Sequence, residues 1–330
     1  AAEVFERLQQ PPVIGELLAG ALIGPHALGF IGKPDPGLIA LFGGDVAAAE
    51  EAVKAIYHLV AELGVIVLLF FVGLETRVAD ILRVGGRATL VAVLGVIAPF
   101  VLGFGLVGPL LGHSQIEAVF VGAAMVATSV GITARVLRDL GVIASVESRI
   151  ILGAAVIDDI LAMIILAIVA GLATTGSVSV LHVGAIAVQA VLFTVFVVLI
   201  GSGVVRRFGL RLNALRMDNA PFAVALLTML GLAALSASIG LAAIIGAFLA
   251  GMVFAEANER FELEQQALPI YQFLVPFFFV ITGSQVNWRL FLDGGILGLA
   301  LAITGLALLT KLVGCGAAML GYRWRSVAIV

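Results

Sequence analysis

The stretch LGAAVIDDILAMIILAIVAG at 152–171 places two adjacent carboxylates, Asp158 and Asp159, in the middle of an otherwise apolar run. An ionised carboxylate in hydrocarbon is costly, and such residues in membrane segments face a bundle interior or a water-filled cavity and mark ion or proton paths. Neighbours on a helix point about 100° apart, so the two acids need not share a partner. A further charge, Lys311, lies inside the apolar run 294–321. One acid can pair with it, each charge offsetting part of the other's desolvation. The other can face water and bind a small cation. Burial and a nearby cation act on a carboxylate's proton affinity in opposite directions. A group so placed can hold either a proton or a cation, the minimum equipment of an exchanger, and the two acids would titrate as a coupled pair.

A third apolar run, EAVFVGAAMVATSVGITARVL at 117–137, contributes Thr128, Ser129, Gly131 and Thr133. Small and β-branched polar residues around Gly131 let a helix break and free carbonyls and hydroxyls as ligands for a hard cation. A single intramembrane Ser or Thr ordinarily only packs or satisfies backbone, and a single Lys can snorkel. Depth argues for more. Asp158 lies nine residues past Arg149, roughly 13 Å in at about 1.5 Å per residue. Lys311 lies twelve residues before Arg323, roughly 18 Å in on the same measure. Both are near the middle of a hydrocarbon slab about 30 Å thick, so three separate runs bring polar chemistry to one level.

The elements that position these residues follow from composition. The chain is 62% hydrophobic and 12% charged, with a mean hydropathy of +1.20, which excludes a soluble enzyme. Ten apolar spans are predicted, at about 12–31, 58–75, 88–112, 117–138, 150–171, 182–204, 221–238, 240–256, 267–286 and 294–321. The runs are continuous rather than alternating, so they are helices and not barrel strands. Between them, one side collects Arg7, Arg77, Arg83, Arg87, Arg135, Arg138, Arg149, Arg206, Arg207, Arg211, Arg216, Arg260, Arg323 and Arg325. The other holds only Lys33, Lys54 and Arg289. The arginine-rich side is therefore cytoplasmic.

The external 32–57 segment, with Asp35, Asp45, Glu50 and Glu51, reads as a solvated loop or interfacial helix. The cytoplasmic acids Glu256, Glu259, Glu262 and Glu264 read as a solvated face. RRFGLRLNALRMDNAP at 206–221 is the clear linker. GFGLVG at 103–108 matches a dinucleotide fingerprint but lies inside an apolar span without a preceding strand, so it signals close helix packing. Gly20 and Gly24 form a small-xxx-small pair. The four histidines have no metal-ligand spacing, the lone Cys315 can form no intrachain disulfide, and a net charge of −3 points to no nucleic-acid partner.

LLFFVGLETRVADIL (68–82) resembles PFFFVITGSQVNWRLF (276–291), with Gly73 opposite Gly283 at an offset of 210. The arginine count runs the two segments in opposite directions through the membrane. Inverted repeats of this kind characterise secondary transporters with a midplane site.

PPVIGELLAGALIGP (11–25), FFVGLETR (70–77), ATSVGITARVL (127–137), SRIILGAAVIDDIL (148–161) and IGAFLAGMVF (245–254) closely resemble the NapA-type sodium/proton antiporters of the monovalent cation:proton antiporter-2 family. The resemblance covers essentially the whole chain. It implies an all-α polytopic inverted-repeat fold with dimerisation and core domains, a homodimer in membrane lipid, and a core that moves like an elevator. The corresponding division is 1–57 (dimerisation side), 58–171 (first core unit), 172–265 (linker and dimerisation side) and 266–330 (second core unit). It implies that Asp159 binds Na+ or Li+, that Asp158 pairs with Lys311, and that Thr128 and Ser129 lie at a broken, crossing helix, with Gly131 as the break. No cofactor, nucleotide or nucleic acid is implied, only transported Na+ (or Li+) and H+ across a prokaryotic inner membrane.

The adjacent acids favour sodium or lithium; potassium/proton exchange on the same fold and an ion channel or sensor are the alternatives. Family members begin with another helix before QPPVIGE. They continue past GYRWRSVAIV into a second broken helix with a Pro-Arg-Gly-Glu motif and a further span. Those terminal helices are expected outside the 330 residues, so the site is expected to be complete, and to transport, only in a longer chain.

Overall fold

The computed structural model describes all residues except 1, 9, 127, 176–179, 202, 204–218 and 319–330. The linker up to residue 218 and Arg206, Arg207, Arg211, Arg216, Arg323 and Arg325 lie outside the described residues. Among the described residues there is no strand. The helices are α1 (Ala2–Arg7), α2 (Pro12–Ile23), α3 (Pro36–Leu41), α4 (Val46–Leu74), α5 (Val78–Gly105), α6 (Gln115–Val126) and α7 (Val130–Asp139). They continue with α8 (Val146–Thr175), α9 (Val180–Phe196), α10 (Ala220–Ser238), α11 (Ala243–Phe261), α12 (Leu263–Ser284) and α13 (Gly294–Ala318). Each predicted span contains a helix among its described residues. Six helical stretches among the described residues are, on their own, long and apolar enough to cross a membrane.

Local chemistry sets the boundaries. Pro25 removes a backbone donor just after Gly24 and α2 stops at Ile23, short of the predicted residue 31. Asp45 caps α4 by accepting the Ala47 and Ala48 N–H groups at 3.0 and 3.1 Å. The last part of the external 32–57 segment is therefore the first turns of a 29-residue helix. Ser114 and Glu117 form a reciprocal capping box at α6, with bonds of 3.2 and 3.1 Å.

Packing sorts the helices into two groups. In one, α4 packs on α11 and α12, α12 on α2, and α10 on α11; in the other, α5 packs on α6, α8 and α13. The division does not follow chain order: α4 lies within 58–171 and α12 heads 266–330, yet they pack on each other. An inverted repeat gives this result when each copy sends its first helix to one group and its next helix to the other.

The repeat is visible in individual contacts. Phe71 stacks on Tyr271 with ring centroids 4.7 Å apart, and Gly64 faces Leu274 and Phe278. These pairs make α4 and α12 antiparallel, as the arginine count requires. On α2 and α12, Gly20 meets the Val280 carbonyl and Gly283 meets Leu17. On α11 and α4, Gly251 meets the Phe70 carbonyl and Gly73 meets Phe248. Phe70/Val280 and Gly73/Gly283 are 210 apart, while Leu17/Phe248 and Gly20/Gly251 are both 231 apart. One crossing is therefore used twice, and at all four glycines a Cβ would strike the partner's backbone. Gly103 packs against Gly122 and Met125 in the same manner, which makes GFGLVG a helix contact.

Candidate functional site at the helix break

The run 117–137 is broken between Val126, the end of α6, and Val130, the start of α7. The Thr128 hydroxyl donates to the Val126 carbonyl at 3.1 Å. Ser129 caps α7, its hydroxyl accepting the Ile132 N–H at 3.3 Å, and its carbonyl accepts the Thr133 hydroxyl at 2.9 Å. Side-chain oxygens that compete with the backbone end one helix and start the next. Gly131 is not the break. It sits in the first turn of α7, where its lack of a side chain lets the helix approach α4 and α12. A Cβ there would lie 3.3–3.5 Å from Val65, Leu68 and Phe278.

Lys311 of α13 reaches this break. Its Nζ donates to the Thr128 hydroxyl at 2.7 Å and to the Gly95 carbonyl of α5 at 2.9 Å. Asp158 Oδ2 of α8 stands 3.9 Å from the same nitrogen, an ion pair longer than a hydrogen bond. Asp158 is 6% exposed, and its Oδ1 has no hydrogen-bond partner. The break, α5 and α8 thus converge on one ammonium carried by α13. The Gly95 carbonyl was not anticipated, because a backbone oxygen carries no signal in sequence.

Asp159 is turned elsewhere. The rotation of about 100° between adjacent residues carries it out of the Lys311 cluster, and among the described residues Lys311 pairs with Asp158. The two acids line different cavities. Asp158 faces one of about 630 Å³, shared with Thr128, Thr133 and Lys311, which runs along α7 to Leu140 and Val142 at the cytoplasmic end. Asp159 faces one of about 340 Å³. That second cavity follows Ala162, Met163, Leu166 and Val169 along the external half of α8. It is also lined by Phe120 and Ala123 of α6 and by Ala242 and Ile244 at the start of α11. It therefore lies where the two helix groups meet.

A membrane bundle of helices with opposed repeats, a broken helix and an acid pair beside a half-buried lysine is a secondary-transporter architecture. Residues 1–330 match the family model described as sodium/hydrogen exchanger, transmembrane. The chain belongs to this family, and is a multi-pass integral membrane protein of a transporter class rather than an enzyme. It is 38% identical over 299 residues to the high-affinity Na(+)/H(+) antiporter NhaS3 of Synechocystis, covering 86% of this chain and 65% of that protein. It is 35% identical over 333 residues to the Na(+)/H(+)-K(+) antiporter GerN of Bacillus cereus, covering 100% of this chain and 79% of that one. The solved structure of the sodium proton antiporter MjNhaP1 from Methanocaldococcus jannaschii superposes with a TM-score of 0.63 at 16% identity. That match covers 99% of this chain and 79% of the other, and it speaks for the fold.

Proposed function

We propose that this chain carries the ion path of an antiporter exchanging Na+ or Li+ for H+ by alternating access, with cation and proton competing for Asp159. The observation that carries the reading is the division of labour between neighbours. Asp158 is occupied by Lys311, while Asp159 presents its carboxylate to a cavity at the boundary between the helix groups. A carboxylate without a fixed counter-ion must take up a proton or a cation to lie stably at mid-membrane. Thr128 and Ser129 at the break supply oxygen atoms near this level. Lys311 and Asp158 hold the break to α8, so that the α5–α6–α7–α8–α13 group moves as a unit.

In this reading the glycine-zipped group of α2, α4, α10, α11 and α12 is the static scaffold, carries the homodimer contact and sits in a prokaryotic plasma membrane. The mobile group slides against it in an elevator motion. Potassium is the second reading, favoured by the name of GerN, a Na(+)/H(+)-K(+) antiporter. The test uses full-length protein in proteoliposomes with a preset pH gradient. Added sodium should dissipate the gradient. A gradient indifferent to sodium, lithium and potassium alike rejects the proposal.

A further inference from the structure

The cytoplasmic end of α7 carries two arginines that reach away from the α5–α8 group. Arg135 Nη2 stands 3.6 Å from Glu16 Oε1 of α2, with Asp139 of its own helix 3.0 Å from Nε. Arg138 Nε stands 3.4 Å from Glu75 Oε1, one residue past the end of α4. The Arg138 guanidinium also lies over the Phe71 and Tyr271 rings, 4.0 and 4.3 Å from their centroids. Glu16, Phe71 and Tyr271 all belong to the glycine-zipped group. Half of the broken helix is thus fastened, by charge, to the opposite group.

These are poor permanent fasteners. Both cross-group pairs are longer than the 2.7–2.9 Å of a good charged hydrogen bond. Glu16 Oε2 and Glu75 Oε2 are buried without any hydrogen-bond partner. A buried pair of this quality recovers little beyond its desolvation cost, and parting it returns two charges to water. Such a contact suits a surface that closes and opens.

Its position gives the reason to open. Val130, Ala134 and Leu152, on α7 and the cytoplasmic half of α8, belong to one hydrophobic core with Phe70, Phe248 and Phe279 of the other group. That core lies cytoplasmic to Asp159, whose cavity extends the other way. We propose that Arg135–Glu16 and Arg138–Glu75 are the cytoplasmic latch of the transport cycle. They are positioning residues that hold α7 against α2, α4 and α12 while Asp159 faces outward, and they part when it faces the cytoplasm. The latch rests on the alternating-access reading given under Proposed function.

The test compares the two faces of reconstituted full-length protein. Glu16→Gln or Glu75→Gln should favour the cytoplasm-facing state. The apparent KM for cation should fall at the cytoplasmic face and rise at the external face, each by about 3- to 10-fold. Glu75→Arg combined with Arg138→Glu should bring both values back toward wild type. A merely structural role lowers the rate at both faces without splitting KM, and that outcome overturns the latch.

Glu75→Cys with Arg138→Cys, in a Cys315→Ser background, gives a second measurement that does not depend on charge. Bridging the two thiols with a short bis-methanethiosulfonate, which forms a disulfide to each cysteine and releases two sulfinates, should arrest exchange, and reduction with excess dithiothreitol should restore it. Undiminished exchange in the bridged protein overturns the latch while leaving antiport itself intact. Absence of exchange in the wild type rejects the underlying reading, and the latch with it.

Discussion

Lys311 Nζ lies 2.7 Å from the Thr128 hydroxyl but 3.9 Å from Asp158 Oδ2. The helix break, rather than the carboxylate, supplies the shortest bond to the ammonium. Thr128→Val keeps the shape and removes that acceptor, leaving a largely buried cation one bond short. The expected loss is about 1–2 kcal/mol, seen as a lower Tm in detergent, with Thr128→Ser close to wild type. An unchanged Tm in the valine variant would show that the break does not depend on this bond.

Asp158 and Lys311 form a pair that a double-mutant cycle can weigh. Asp158→Asn leaves the ammonium without its counter-charge and should cost about 1–3 kcal/mol, since Lys311 keeps some access to solvent at 30% side-chain exposure. Adding Lys311→Gln should recover part of that loss. Strictly additive effects would mean that the two charges do not interact.

Glycine substitutions should separate the two helix groups. A Cβ on Gly251 would come within 2.7 Å of Gly73 Cα, against the backbone of α4. Gly251→Ala should lower stability by about 1–3 kcal/mol. Gly305, in α13, has nothing within 4 Å of that position. Gly305→Ala should be neutral or add up to about 1 kcal/mol by helix propensity alone. Thermal melting of the two variants side by side checks both statements.

Much of this was legible in the sequence, because a membrane leaves few options. Long apolar runs must be helices, arginine asymmetry orients them, and a charge at mid-depth needs a reason. Asp158, Asp159, Lys311 and Thr128 all stood out by that logic. Glu16, in GELLAG, meets the same criterion, but its partner Arg135 lies more than a hundred residues away and nothing in the sequence pairs the two. Half of the repeat is hidden by a change of offset. IGELLAG at 14–20 and IGAFLAG at 245–251 stand 231 apart rather than 210, so a single offset finds only one of the two pairs. Small polar residues around Gly131 signal a break; the hydroxyls of Thr128 and Ser129 make it, and the glycine makes room for α4. Which acid meets Lys311 depends on the rotation of α8, and only its packing sets that.

The proposed cation preference rests on the adjacent acids Asp158 and Asp159. Sodium and lithium should drive proton movement at lower concentration than potassium in the same proteoliposome assay. Equal half-maximal concentrations for all three would favour the potassium reading.

Competition at Asp159 is most directly tested by equilibrium sodium binding to the purified full-length protein across a pH series. One proton competing for one carboxylate raises the apparent Kd by about tenfold for each pH unit below the titration midpoint, and Asp159→Asn should abolish binding. Sodium binding that is insensitive to pH, or that survives the asparagine substitution, would contradict the assignment.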